Sequence, residues 1–410
     1  MIQVGIIGVG YVGLSLATSL LNRSVKVIGF ENSSDRVDQI SNLRFDGTAD
    51  DKQLVERSLN SGSFIINQSL EGINSCDYIF LCLPTPINEE YEPDFSILKS
   101  VCQQLVALVK PGQVIIMTST SFVGTTREFL VVPLEARGFV VGLDVFIGFS
   151  PERVDPGNNQ YNQEDIPRVV AGATKECLAK VRPVIELVTH EAKLATSLEA
   201  AEMTKLVENT FRAVNIAWIN EMENLADQVG LNIQEVIQLA STKPYGFMKF
   251  TPGPGVGGHC IPADPHYLLR NIDREIAPLT NLSMARLHNR PHEITLRALK
   301  ELGDYDSSTK VLIWGVAYKP NVSDVRDSPA LVIFSELEKE VGQVDFYDPH
   351  VKTISVAGSQ HSSTDGLKFE SYDLVIIHTI HREGLPAELL RSSTPVFDAT
   401  FSGLSKKQSV

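Results

Sequence analysis

A chain of 410 residues with 43% hydrophobic and 21% charged residues is too long for one ordinary core and too apolar for disorder, so two or three packed domains are expected. Its formal net charge of −14 argues against non-specific nucleic-acid binding, which needs a basic surface, and no run approaches the ~20 apolar residues of a membrane helix. The five cysteines, Cys76, Cys82, Cys102, Cys177 and Cys260, are odd in number, scattered and without metal-binding spacing, so neither a disulfide framework nor a metal site is expected.

In chain order, the first half alternates short apolar runs with helix-like segments: "QVGIIGVG" then "YVGLSLATSLLN", "KVIGFE" then "SDRVDQISN", "YIFLCLPT" then "FSILKSVCQQLVALV", "QVIIMTST" then "GTTREFLVVPLEARG". That rhythm predicts βαβ units and a parallel sheet, with "VFIGFSP" and "RVVAG" as further strands. The first strand runs straight into a folded motif rather than a cleavage site, which predicts an untargeted cytoplasmic protein.

That motif is Gly8-x-Gly10-x-x-Gly13, directly after a strand and opening a helix. Gly8 permits a tight turn, Gly10 lets the backbone approach a pyrophosphate, Gly13 allows close packing, and the phosphates sit at the helix N-terminus beside Tyr11 and Val12. Glu31 ends the second strand about 20 residues on, where an acidic side chain binds ribose hydroxyls and favours NAD over NADP. Arg36 lies near enough in sequence to touch the adenosine end.

Residues 197–229 hold no Gly or Pro and repeat apolar residues at three- and four-residue spacing, predicting the longest helix of the chain. At about 1.5 Å per residue it spans nearly 50 Å, long enough to bridge two domains or to pack on a second copy. Lys205 and Asn209 are four apart and share a face; a surface lysine is the default reading there, and the alternative is an ammonium and an amide that together hold a developing oxyanion. The loop "TPGPGVGGHCIPADP" then sets Cys260 after two glycines that leave room for a substrate, with Asp264 following in the same loop as a base or water-orienting group. His259, adjacent to Cys260, points a divergent way and is a poor general base. From Lys310 the α/β rhythm resumes with "KVLIWGVAY", "ALVIFSELEKEV", "VDFYDP", "YDLVIIHT" and "PVFDAT", predicting a second, smaller doubly wound domain, and "SKKQSV" reads as a loose tail.

Taken together, "GVGYVGL", "LPTPIN", "TSTSFVGTT", "FSPERVDPGN", "KLVENTFRAVNIAWINE", "PGPGVGGHCIPADP" and "GVAYKPNVSDVRDSP" resemble the UDP-glucose/GDP-mannose dehydrogenase family of NAD-dependent nucleotide-sugar dehydrogenases over almost the whole chain. The resemblance implies an α/β fold with an N-terminal Rossmann-like NAD domain at 1–196, a central helical domain with the dimer interface and the cysteine loop at 197–300, and a smaller Rossmann-like domain for the nucleotide sugar at 301–410. It implies a four-electron oxidation of a sugar C6 alcohol to a carboxylate with two NAD molecules in succession and no metal. A cysteine suits this chemistry, because a thiolate traps the aldehyde as a thiohemiacetal whose second hydride loss gives a thioester that water hydrolyses.

By motif, the resemblance makes Cys260 the nucleophile, Lys205 and Asn209 oxyanion stabilisers, and Asp264 the group that assists water and proton transfer. Thr120 and Glu152 position water and contribute acid/base function. Thr85, Thr120 and Arg326 fall on the cofactor side; Glu152, Arg153, Lys205, Asn209, Lys249, Gly253, Gly255, Gly257 and Lys319 fall on the nucleotide-sugar side. The pairing of "GGHC" with "SPERVDPGN" is most like the branch acting on UDP-N-acetylhexosamines, with UDP-N-acetylglucosamine favoured over UDP-N-acetylmannosamine or UDP-N-acetylgalactosamine and UDP-glucose as runner-up. Glu31 stands where the family more usually has aspartate, and Val123 where it often has proline. The rivals are a two-electron β-hydroxyacid dehydrogenase, which explains neither the Cys260 loop nor the second α/β domain, and a non-catalytic NAD-binding scaffold.

Overall fold

The computed structural model describes residues 2–88, 91–153, 161–258, 260–270 and 272–403; His259 and the expected tail at 405–410 lie outside them. The chain divides into two compact units, Met1–Val207 with His266–Arg270, and Glu208–Pro265 with Asn271–Val410.

Among the described residues the first unit is built on eight strands: β1 (Gln3–Ile7), β2 (Lys26–Phe30), β3 (Phe64–Asn67), β4 (Tyr78–Leu81), β5 (Val114–Met117), β6 (Phe146–Phe149), β7 (Arg168–Gly172) and β8 (Ala192–Leu194). They lie in the order β3-β2-β1-β4-β5-β6-β7-β8. Neighbours run parallel except β6 and β7, which pair antiparallel. Helices cover both faces of a parallel sheet, which is why Val114–Met117 is buried at every position instead of alternating. The core gathers Ile6, Leu16, Leu20, Val27, Phe80 and Ile116. β3 and β8 went unforeseen in the sequence, being short and only partly covered.

In the second unit, β9 (Lys310–Trp314), β10 (Gln343–Tyr347), β13 (Leu374–Ile377) and β14 (Val396–Asp398) form an all-parallel sheet in the order β10-β9-β13-β14, with an antiparallel hairpin of β11 (Thr353–Val356) and β12 (Ser359–Ser362) beside it. Val311, Ile313, Phe334, Phe346 and Ile376 form its core. The long helix runs Leu198–Gln228, its 31 residues matching the expected span to within a residue at each end. Of that helix, Leu198–Val207 belong to the first unit and the remainder to the second, which also holds a second long helix, Pro278–Leu302. No helix of the described residues is long and apolar enough to cross a membrane.

One expectation is corrected. Cys260 and Asp264 do not share a loop: Cys260–Leu268 is a helix and Cys260 stands at its first position. Pro262 lies in the first turn, where backbone N–H groups have no intrahelical partner, so its missing N–H is no loss there. Pro265 lies further in and removes one helical hydrogen bond, which the segment tolerates.

Candidate active site

The glycine turn shows why each glycine is needed. Gly8 adopts φ +86° and its N–H donates to Phe30 O at 2.8 Å, closing β1 against the end of β2. A Cβ on Gly13 would sit 1.9 Å from Gly8 O, so only glycine lets the helix Tyr11–Asn22 start this close to the strand. A Cβ on Gly10 would meet nothing within 4 Å, leaving that backbone open to a diphosphate at the helix N-terminus beside Tyr11 and Val12. The turn is gripped at both ends of one residue: Glu31 Oε2 accepts from Val9 N at 2.9 Å, and Arg36 Nε donates to Val9 O at 3.0 Å. The second Glu31 oxygen accepts from Ser33 N at 3.0 Å. Burial pulls the Arg36 guanidinium below its ordinary value, with Glu31 and Asp46 opposing. These residues fit a dinucleotide.

At the ends of β4 and β5, Thr85 is buried and its hydroxyl donates to Thr120 O at 2.7 Å, while Ser119 Oγ accepts from Leu83 N at 2.8 Å. Tyr267, 2% exposed, donates its hydroxyl to Thr85 O. Glu152 is buried after β6, with one carboxylate oxygen accepting from Arg153 N at 2.7 Å and the other from Arg168 Nη2 at 2.6 Å. Arg153 donates from Nη1 to Pro167 O at 2.8 Å. Arg168, 2% exposed, had no distinguishing mark in sequence; an arginine at the start of a predicted core strand was its one signal.

Glu202 was also unforeseen. One turn before Lys205 on the long helix and 1% exposed, it accepts from Gly124 N at 2.5 Å, Thr126 N at 2.9 Å and Thr126 Oγ1 at 2.6 Å, fastening the segment after Thr120. Burial raises its pKa above the usual carboxylate value, against those donors. Lys205 is half-buried on the same helix.

In the second unit the structure joins residues remote in sequence. Asn209 Nδ2 donates to Asp264 Oδ2 across 55 residues, and Asp264 is 2% exposed while Cys260, one turn earlier on its helix, is exposed. The preceding glycine segment is anchored at Gly253, whose N–H donates to Asn220 Oδ1 at 2.9 Å and whose carbonyl accepts from Arg290 Nε at 3.1 Å. Arg290, 1% exposed, is held by Glu223 at 2.8 Å. Gly255 takes φ +146°, and a Cβ there would press on Pro329 at 2.9 Å. A Cβ on Gly257 would meet Asp327 O at 2.6 Å and Tyr318 Cβ at 2.8 Å. Lys249 is exposed and Lys319 half-buried. Arg326 pairs with Asp324 at 2.6 Å, and that hydrogen bond raises its pKa against the pull of burial.

A glycine turn opening a helix, clasped by an acid at the end of the next strand of a parallel sheet, defines a Rossmann-type dinucleotide-binding protein. Comparison with known proteins makes the class specific. The NAD binding domain of the UDP-glucose/GDP-mannose dehydrogenase family matches residues 2–188, its central domain 199–290 and its UDP binding domain 312–399. The chain is 32% identical to Protein CapL of Staphylococcus aureus over 91% of this chain and 86% of that one, and 30% identical to the UDP-N-acetyl-D-glucosamine 6-dehydrogenase of Pseudomonas aeruginosa over 93% and 91%. Among solved structures, the UDP-D-ManNAc dehydrogenase from Pyrococcus horikoshii superposes with a TM-score of 0.84 at 28% identity, covering 93% of this chain and 90% of that chain. The chain belongs to the UDP-glucose/GDP-mannose dehydrogenase family, and is an NAD-dependent nucleotide-sugar dehydrogenase.

Proposed function

We propose that the protein oxidises the C6 alcohol of a UDP-N-acetylhexosamine, UDP-N-acetylglucosamine by choice, to the uronic acid in two steps through a covalent adduct on Cys260. The observation that supports this most is the helix Cys260–Leu268, which offers an exposed thiol at its N-terminal end and, one turn on, a buried carboxylate held by Asn209. A helix N-terminus favours the anionic thiolate, the form that attacks a carbonyl. Bound NAD supplies a hydride acceptor, and Gly8, Gly10, Tyr11, Val12, Gly13, Glu31 and Arg36 would hold it, with Thr85, Thr120 and Arg326 on the cofactor side.

The chain's own groups then divide the work. Cys260 Sγ adds to the C6 aldehyde carbon; Lys205 Nζ and Asn209 Nδ2 donate to the oxygen as it gains charge. Asp264, Thr120 and Glu152 orient the hydrolytic water, and the carboxylates take up its proton. Arg153, Lys249, Gly253, Gly255, Gly257 and Lys319 bind the sugar and its diphosphate, the glycines through backbone N–H groups. The three-part division at 1–196, 197–300 and 301–410 assigns these tasks to a cofactor, a dimerisation and a nucleotide-sugar domain. A homodimer or higher homo-oligomer working in the cytoplasm completes the proposal: Met203, Val207, Phe211, Trp218 and Leu225, each 47–53% exposed along the long helix, give it an apolar stripe for a second copy. A solution mass of one chain would remove that part.

Relatives of comparable identity act by name on N-acetylglucosamine, N-acetylmannosamine and N-acetylgalactosaminuronic acid derivatives, so the sugar is settled by assay. NADH release is measured across a panel of UDP- and GDP-sugars. Two NADH per sugar are expected, with UDP-N-acetylglucosamine the best substrate and Cys260→Ser halting at a slowly hydrolysed intermediate seen by intact mass. One NADH per sugar, or normal turnover by Cys260→Ser, defeats the proposal.

A further inference from the structure

Directly after β9, from Val316 to Asn321, the backbone enters a network built on Asp348 and His381, two residues that none of the assigned roles uses. Asp348 follows β10 with its side chain fully buried, and His381 lies in the turn after β13 with its ring 2% exposed. Asp348 Oδ2 accepts from Val316 N at 2.8 Å and Ala317 N at 3.0 Å; Oδ1 accepts from His350 N at 2.8 Å and Val351 N at 3.1 Å. His381 Nε2 lies 3.1 Å from Asp348 Oδ2, and His381 Nδ1 lies 2.9 Å from Asn321 N. A backbone N–H only donates, so Nδ1 is the acceptor and the ring's single proton sits on Nε2, directed at the carboxylate. Asn321, at φ +63°, returns the tie by accepting Arg382 N on its Oδ1 at 2.8 Å.

The residues so fastened flank one short segment, Tyr318-Lys319-Pro320, held before by Val316 and Ala317 and after by Asn321. Tyr318 meets the glycine segment before the Cys260 helix: a Cβ on Gly258 would lie 2.8 Å from the Tyr318 ring, and Gly258 N donates to Arg326 O at 2.9 Å. One buried carboxylate therefore sets the conformation of the segment that carries Lys319 and packs under the glycines before Cys260.

We propose that Asp348 and His381 are positioning residues for the nucleotide sugar, acting through Asn321 to hold Lys319 and Tyr318 in register with the glycine segment that precedes the Cys260 helix. This rests on the assignment of Lys319 to the nucleotide sugar. Neither residue touches the reacting atoms. His381→Leu removes both ring hydrogen bonds, and loss of that tie raises the KM for the nucleotide sugar about tenfold with the KM for NAD unchanged. His381→Gln keeps an amide donor for Asp348 and an acceptor for Asn321, and brings the sugar KM back to within about threefold of wild type. Asn321→Gly, which suits the positive φ and loses only the acceptor for Arg382, raises it about threefold and serves if His381→Leu does not fold.

The sugar KM and the NAD KM are measured for all three variants against wild type. A sugar KM that stays put in His381→Leu and Asn321→Gly, an NAD KM that climbs in step with it, or a glutamine variant no better than leucine overturns the assignment. Wild-type protein that oxidises no nucleotide sugar overturns the functional reading and this inference with it; active wild type with indifferent variants removes the inference alone.

Discussion

The two main sheets begin in the same way and then diverge at a single step. In the first, Ile7 ends β1 in register with Phe30, Gly8 turns at φ +86°, and Glu31 follows β2. In the second, Trp314 ends β9 in register with Tyr347, Gly315 turns at φ +79°, and Asp348 follows β10. Gly8 N donates to Phe30 O and Gly315 N to Tyr347 O, at 2.8 and 2.7 Å. The acids then behave differently. Glu31 is only partly buried and meets one amide of the turn, whereas Asp348 is buried and meets both Val316 N and Ala317 N. One shared turn thus has two outcomes: an acid left at the surface beside an open helix N-terminus, and an acid folded inward where it knits loops together. Gly13 has no counterpart in the second turn, where "GVAYKPN" runs on without opening a helix.

Adding one carbon to each turn tests the comparison most severely. Gly13→Ala would put its Cβ 1.9 Å from Gly8 O, and Gly315→Ala would put its Cβ 2.1 Å from Thr379 O at a φ that alanine avoids. Each backbone must move, at about 3 kcal/mol or more. Gly13→Ala is expected to weaken NAD binding more than about 100-fold and leave UDP binding measurable by calorimetry, with Gly315→Ala giving the reverse. A variant that weakens both ligands alike breaks the division of labour between the sheets.

The strand-end acids come next. For Asp348, burial raises the carboxyl, but hydrogen bonds from His381, Ala317 N, Val316 N and His350 N outweigh it and take the group down to about 2. Because that value lies below the ordinary 3.8, the stabilisation is present above pH 3.8 and is lost as pH falls toward 2. Asp348→Asn should cost roughly 1–2 kcal/mol at neutral pH and flatten the acid limb of the urea-unfolding midpoint. Glu31→Gln should raise the KM for NAD about tenfold. An acid limb that persists in Asp348→Asn removes the contrast between the two acids.

Much of this was legible because it is local. Strand-helix alternation, the spacing Gly8-x-Gly10-x-x-Gly13 and the gap to Glu31 are written along the chain, and the long helix shows in its unbroken periodicity. What escaped is tertiary. Asn209 and Asp264 each stood out, yet their hydrogen bond joins residues 55 apart, and spacing cannot reveal it. Arg168, Glu202, Asp348 and His381 look in sequence like ordinary polar residues; their weight comes from burial, which a one-dimensional pattern does not carry. The helix at Cys260 was hidden by Pro262 and Pro265, read as loop-forming although the first of them sits where a helix accepts proline. Short, half-covered strands such as Phe64–Asn67 lack the fully apolar run that announced their neighbours.

The mildest test lies one strand further on, at matching positions. Cys82 N donates to Ile7 O and His378 N donates to Trp314 O, so thiol and imidazole follow equivalent strand ends. Burial pushes the Cys82 thiol up to about 12 and the His378 imidazole down to about 4, leaving both neutral at physiological pH. The linkage runs in opposite directions. His378 takes a proton more readily in the unfolded chain, so its contribution is intact above pH 6.5 and is lost as pH falls toward 4. Cys82 gives up a proton more readily when unfolded, so its contribution is intact below pH 9.0 and is lost as pH rises toward 12. Between pH 7 and pH 6, protonation of His378 on unfolding should cost the second unit about 0.5–1 kcal/mol, a slope that His378→Leu removes and Cys82→Ala leaves in place. An imidazole proton resonance for His378 that titrates between pH 7 and pH 6 would show the ring open to water, and the symmetry of the two neutral groups would fail.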